Sequence, residues 1–215
     1  MAPSATNRII GTDKIPFDTF QNVINGKLSP MAHTRHGINP ATKKANLEVP
    51  LSTQKDVDDA IAAAKVAYKT WSQTGVKERR EMLLAYAEAL EEHTNEFATL
   101  LTTEQGKPLM LAALEVEYGY KWLSEIGKLD IPEEVFEDNE DRKVITRYTP
   151  FGVVAAIVPW NFPIHLGKIV LPAPSIYYIL LYIESQLTEK KKQKTAYGKI
   201  APALLTGNCI IIKPS

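Results

Sequence analysis

The chain has 215 residues with 25 basic and 25 acidic side chains, so its formal net charge is zero and nothing in it draws nucleic acid or an anionic membrane at long range. With 45% hydrophobic and 23% charged residues it reads as a globular protein able to bury a core. One cysteine, Cys209, excludes an internal disulfide and fits a reducing compartment. Residues 1–15 lack the apolar run of a secretory signal, so a cytoplasmic location is expected.

Residues 1–16 are polar and are expected to be a disordered N-terminus. Thr19 to Lys27 reads as a strand turning at Asn25-Gly26, the strongest local hairpin signal. Segments Gly37 to Pro40 and Ala45 to Pro50 are extended and broken by prolines, as edge strands are. His33 and His36 lie in this polar stretch, and His93 and His165 are scattered, so no metal site is expected.

Ser52-Thr53 precedes a helix whose apolar stripe is Val57, Ile61, Ala64, Tyr68 and Trp71, with Asp56, Asp58 and Asp59 early and Lys65 and Lys69 late, as the helix dipole favours. A second helix is predicted from about Lys77 to Thr103, burying Met82, Leu83, Tyr86, Leu90, Phe97, Leu100 and Leu101 and leaving Arg79, Arg80, Glu91 and Glu92 outside. Gly106-Lys-Pro108 ends it, and a third helix follows from about Leu109 to Ile126 with Leu114, Tyr118 and Trp122 on one face. From Gly127 the texture changes, and residues 129–148 read as a projecting β-hairpin whose unpaired edges suit another subunit.

The apolar, β-branched run Val153 to Ile157 enters the turn Pro159-Trp-Asn-Phe-Pro163. That puts a neutral amide, Asn161, at the carboxyl end of a buried strand, where open α/β sheets bind ligands. From spacing alone, Asn161 reads as the cap of a helix beginning at Phe162. A second strand, Asn208 to Lys213, ends in Lys213-Pro-Ser215 and holds Cys209 as a small core residue.

Many short motifs now stand in order: Asn25-Gly26, Asn39-Pro-Ala-Thr42, Asp56-Val-Asp-Asp-Ala-Ile61, Trp71, Glu78-Arg79, Glu104-Gln-Gly-Lys-Pro108, Glu115, Pro159-Trp-Asn-Phe-Pro163, Pro202-Ala-Leu204, Gly207-Asn208 and Lys213-Pro-Ser215. Together they resemble the N-terminal part of the aldehyde dehydrogenase superfamily, over roughly residues 17–166 and 196–215. The resemblance implies an α/β chain carrying part of a Rossmann-like dinucleotide-binding domain. Residues 17–128 would be its N-terminal helical part, 129–148 an oligomerisation hairpin, and 149–215 the first strands of the cofactor-binding sheet. It also implies oxidation of an aldehyde to an acid with NAD or NADP, with a thiohemiacetal on a cysteine. Asn161 would be the oxyanion donor. Ile157, Val158, Pro159 and Trp160 would line the nicotinamide half of the cofactor, and Lys213 and Ser215 would lie near the adenosine ribose.

The chain departs from that pattern in two ways. The family's nucleophilic cysteine and general-base glutamate lie beyond Ser215, and Cys209 sits in the wrong element to replace the first. The acidic residue that commonly follows Lys-Pro-Ser is also missing, and with it any basis for choosing between NAD and NADP. The second departure is spacing: the lysine matching Lys199 is expected at position 170, so residues 167–195 are a 29-residue insertion. Its apolar octet Ile176 to Ile183 is too short for a spanning helix, so no membrane partner is expected, although a basic-flanked surface anchor would read similarly. Poor order is expected over about residues 167–196.

Three readings follow from these departures. The chain is a catalytically incomplete aldehyde dehydrogenase, a non-catalytic oligomerisation partner of a full-length one, or the product of an incomplete gene model. A translated intron accounts for the insertion, because Gly167-Lys168 can be encoded GGT-AAG and Thr195-Ala196 can be encoded ACA-GCN, which supply donor and acceptor in one phase. Sequencing the genomic DNA and the transcript across codons 160–220 is expected to show GT at the second and third positions of codon 167 and a spliced message lacking residues 167–195. Any other dinucleotide there sinks the splice account.

Overall fold

The computed structural model describes residues 17–29, 32–166 and 198–214. The expected disordered N-terminus, the insertion 167–195 with its apolar octet, and Ser215 lie outside the described residues. In chain order the elements are β1 (Asn22–Ile24), β2 (Lys27–Ser29), β3 (Thr34–Ile38), β4 (Ala45–Pro50), α1 (Gln54–Trp71), α2 (Val76–Glu92), α3 (Thr94–Gln105), α4 (Leu109–Ile126), β5 (Glu134–Asp138), β6 (Lys143–Thr146), β7 (Val153–Ile157), α5 (Pro163–Leu166), α6 (Ile200–Leu205) and β8 (Cys209–Lys213). The fold is α/β, as expected.

β1 and β2 form an antiparallel hairpin with Ile24 opposite Lys27. Asn25 and Gly26 both take positive φ, 50° and 73°, the backbone this two-residue turn requires and the one Asn-Gly tolerates. β3 and β4 pair antiparallel as expected. Thr53 caps α1 through a reciprocal box: its hydroxyl accepts from the Asp56 amide, and the Asp56 carboxylate accepts from the Thr53 amide at 2.7 Å. The Thr53 amide and the Thr53 hydroxyl both donate to the Asp56 carboxylate and hold it below its usual range.

The stripe read on α1 is right at one end only. Ala64 and Trp71 are buried and Tyr68 is half-buried, but Val57 is exposed, because the first turn of α1 extends past the core.

The predicted single helix over 77–103 is instead two, α2 and α3, broken at His93 (φ −103°, ψ 23°). A straight helix of that span would be about 40 Å long, well beyond the 18-residue α4 on which both halves pack. The bend lets Leu83 and Leu90 of α2 and Phe97 and Leu101 of α3 share one core. The ring of Phe17 fills the joint, 5.9 Å from His93 and 4.9 Å from Phe97 between centroids.

Two further expectations are corrected. Arg79 is buried rather than outside, because its guanidinium serves two helix ends: Nη1 donates to the Leu205 carbonyl of α6 at 2.8 Å and Nη2 to the Ser72 carbonyl after α1 at 3.3 Å. A cation at two helix C-termini meets two partial negative charges. Burial lowers the guanidinium pKa from its usual value. On α4 the buried face is Ala112, Glu115, Val116, Gly119 and Leu123, while Tyr118 is exposed. Small residues win this face because they permit close approach: a Cβ on Gly119 would stand 3.4 Å from Leu90 and 3.5 Å from Ile164.

β5 and β6 form the expected antiparallel hairpin, with Val135, Phe136 and Val144 exposed. β7 and β8 pair parallel, Val153 opposite Cys209 and Ile157 opposite Lys213. Among the described residues no helix is long and apolar enough to cross a membrane.

Replacing Arg79 with Met removes both carbonyl partners while keeping most of the volume. Urea unfolding is expected to show a loss of about 3 kcal/mol, in the range for a buried charged donor, with Arg79→Lys recovering only part because an ammonium does not span both carbonyls.

Candidate functional site

The site is built at the carboxyl end of β7. The ladder runs one residue past the strand, with the Val158 amide donating to the Lys213 carbonyl at 3.0 Å, and Lys199 Nζ donates to the Ile157 carbonyl at 3.1 Å. Alternation then places Ile157 outward and Val158 inward. Pro159, Trp160, Asn161 and Phe162 are exposed, and Pro163 and Ile164 return to the core to begin α5.

The turn is fastened from beneath by a buried ion pair. Lys107, in the loop between α3 and α4, pairs with Glu115 of α4; their side chains are 13% and 0% exposed. Each charge also reaches the turn. Lys107 Nζ donates to the Asn161 carbonyl at 2.9 Å and stands 4.2 Å from the centre of the Phe162 ring, while Glu115 Oε1 accepts from the Ile164 amide at 3.0 Å. Every contact compensates the desolvation that a buried ion pair otherwise suffers.

This geometry bears on the capping alternative. The Ile164 amide, an orphan donor in the first turn of α5, is taken by Glu115 rather than by Asn161. Among the described residues no acceptor takes a hydrogen bond from the Asn161 side-chain amide, which stays on the exposed face.

The structure brings Ile157, Pro159, Trp160, Asn161 and Lys213 to one end of the parallel pair, all exposed. Val158 is the exception: it is buried and supports the wall from behind. Ser215 lies outside the described residues. Lys107 and Glu115 stood in motifs of the sequence but carried no role there. The available signal was Glu115 itself, a carboxylate in register with Ala112, Val116 and Gly119 on the small-residue face of α4.

Cys209 is fully buried in β8, and burial pushes its thiol up to about 12. That is the reverse of an activated thiolate. His36 serves its own hairpin, with Nδ1 3.0 Å from the Asn46 carbonyl and Nε2 3.5 Å from Glu48. Among the described residues no group of three His, Cys, Asp or Glu could hold a metal ion.

A parallel strand pair between helices, with an exposed loop at its carboxyl end, is part of a Rossmann-like α/β sheet. The aldehyde dehydrogenase family model matches residues 29–174, and the chain belongs to the aldehyde dehydrogenase family. FUS7 of Gibberella fujikuroi, named for that family, is 39% identical over 199 residues, which is 93% of this chain and 37% of the relative. Mitochondrial succinate-semialdehyde dehydrogenase of rice, Oryza sativa subsp. japonica, is 30% identical over 82% of this chain and 29% of its own length. Among solved structures, a betaine aldehyde dehydrogenase of Staphylococcus aureus in complex with NAD+ superposes with a TM-score of 0.70 at 28% identity, covering 91% of this chain and 35% of that one. A Brucella melitensis aldehyde dehydrogenase reaches 0.74 at 24% identity, a likeness of fold, over 96% of this chain and 38% of that one. The chain thus spans between 29% and 38% of the length of these relatives.

The raised thiol pKa of Cys209 makes two outcomes measurable. At pH 8 a disulfide reagent is expected to label the unfolded chain quickly and the folded chain only as fast as it opens. The folded state keeps the proton that the unfolded thiol loses above about 9, so this group's contribution is full below pH 9 and is lost as pH rises toward about 12. Rapid labelling of the native chain would contradict the burial.

Proposed function

We propose that residues 149–166 and 198–215 form the cofactor-facing edge of an enzyme that oxidises an aldehyde to a carboxylic acid with NAD or NADP. The observation that carries this reading is the register of β7 and β8, which pairs Ile157 with Lys213 and leads directly into a turn presenting an exposed Asn161. An exposed Ile157, Pro159 and Trp160 suit the flat face of a nicotinamide, with the buried Val158 fixing their backbone. Lys213 and Ser215 belong to the ribose end, where an ammonium suits a hydroxyl or a phosphate. Nothing in the described residues distinguishes the two dinucleotides. When bound, the dinucleotide accepts hydride.

Asn161 donates a hydrogen bond from its side-chain amide to the aldehyde oxygen as negative charge develops there. A neutral amide suits this task because it has no proton to lose and is aimed before the charge forms; one such donor contributes about 3–4 kcal/mol. The nucleophile is not among these residues, since the one cysteine in the sequence, Cys209, is buried and its thiol stays protonated. Residues 1–215 alone are therefore catalytically incomplete, and the nucleophilic cysteine and the general-base glutamate come from a segment outside them.

The hairpin 129–148 is the surface for another subunit. Its exposed Val135, Phe136 and Val144 support that assignment, and they keep the second reading, a non-catalytic partner of a full-length aldehyde dehydrogenase. The insertion 167–195 is a translated intron. In support, the family match ends at residue 174, inside it, and the flanking α5 and α6 both pack on α4.

Aldehyde-dependent reduction of NAD+ or NADP+ tests the reading. The 215-residue chain is expected to show none. In a longer form of the chain that carries the nucleophilic cysteine and the general-base glutamate, Asn161→Ala is expected to lower kcat about 100- to 1000-fold with KM little changed. An unaltered kcat would return Asn161 to a structural role.

A further inference from the structure

Resting on the reading of Asn161 as an oxyanion donor, we propose that Lys107 and Glu115 are the positioning residues of that donor, a clamp that sets the backbone from which the Asn161 amide projects. A buried ion pair needs its spare hydrogen-bonding groups satisfied as well as its charges paired. Lys107 and Glu115 are eight residues apart at the entry to α4 and could satisfy one another locally. Each also reaches the turn. The second carboxylate oxygen of Glu115 takes the Ile164 amide, and the lysine takes the Asn161 carbonyl and covers the Phe162 ring.

Residues 161, 162 and 164 are therefore held from the protein side while the Asn161 side chain stays on the exposed side. With the Asn161 carbonyl and the Ile164 amide both held, the backbone of the turn is restrained on either side of Phe162. An oxyanion donor is effective when its direction is fixed before charge develops, so rigidity imposed from beneath is what the chemistry of this turn requires. Neither charge touches an aldehyde; both act through Asn161.

Nuclear magnetic resonance on the 15N-labelled 215-residue chain tests the clamp, with Asn161→Ala to assign the side-chain amide. Glu115→Gln and Lys107→Met are expected to move the Asn161 side-chain amide resonances and to speed exchange of the Ile164 amide by about tenfold or more, while amides of α1 exchange as before. Lys107→Arg, which keeps a cationic donor, is expected to restore the Asn161 signals most of the way. Where Glu115→Gln fails to fold, Glu115→Asp keeps the charge but is shorter by one methylene, and the same shift is expected of it. Unmoved Asn161 signals in the folded variants, or exchange that rises equally in α1 and at Ile164, would make the pair a structural bolt and overturn the proposal. No aldehyde or dinucleotide enters this readout, so failure of the oxyanion reading appears separately, as turnover that survives Asn161→Ala.

Discussion

The carboxylate of Glu115, with no exposed side-chain surface, is the constraint on which the site depends. A desolvated charge of this kind is tolerated only with a counter-charge and further donors, and breaking such a pair on one side typically costs about 3–5 kcal/mol. The demand propagates outward. Lys107 has to reach back under α5, which requires the chain to turn tightly between α3 and α4. Gly106 provides the turn with φ 73°, and a Cβ there would lie 2.6 Å from Pro40, so the loop is also pressed against the β3–β4 connection. One buried carboxylate thus links the edge hairpin, the helical layer and the exposed turn at the end of β7.

Arg79 plays the matching part at the other end of the sheet. By joining the Leu205 and Ser72 carbonyls, it fixes the end of α6 relative to the end of α1, and β8 starts just four residues after Leu205. Gly207 lies against this guanidinium, where a Cβ would stand 2.8 Å from Nη1. Asn208 then accepts from the Gly152 amide at 3.0 Å, and Cys209 donates its amide to the Gly152 carbonyl at 2.9 Å, which locks the start of β8 to the start of β7. The parallel pair has only two strands among the described residues, yet its register is fixed at both ends, by Gly152 and Asn208 at one and by Val158 and Lys213 at the other.

Features governed by local chemistry were legible in the sequence. The Asn25-Gly26 turn follows from which residues tolerate positive φ, the Thr53 start of α1 from capping, and β7 and β8 from unbroken apolar runs. Features governed by a distant partner were not. His93 has no intrinsic tendency to end a helix strong enough to be read, and the break follows from the finite length of α4 and from Phe17, 76 positions earlier in the sequence. Arg79 resembles any surface arginine until α6 brings carbonyls to it. On α4 the large residues Leu114, Tyr118 and Trp122 gave the louder periodic signal, whereas burial went to Ala112 and Gly119 because close helix approach favours small side chains. In the site, motif order marked Asn161, but only the fold shows the clamp beneath it.

That clamp also explains an inversion at the end of β7. Ordinarily a turn exposes polar backbone and hides its apolar side chains; here the Asn161 carbonyl and the Ile164 amide are satisfied inside, and Ile157, Trp160 and Phe162 are left facing out. Turning the backbone inward costs two buried charges, and exposing three large apolar groups forgoes burial of about 1.5–3 kcal/mol for each side chain. Both costs run against the stability of the described residues taken by themselves. The inward-facing polar contacts restrain the turn, and its apolar side chains stay on the exposed side. The neutral amide of Asn161 stands between these two halves.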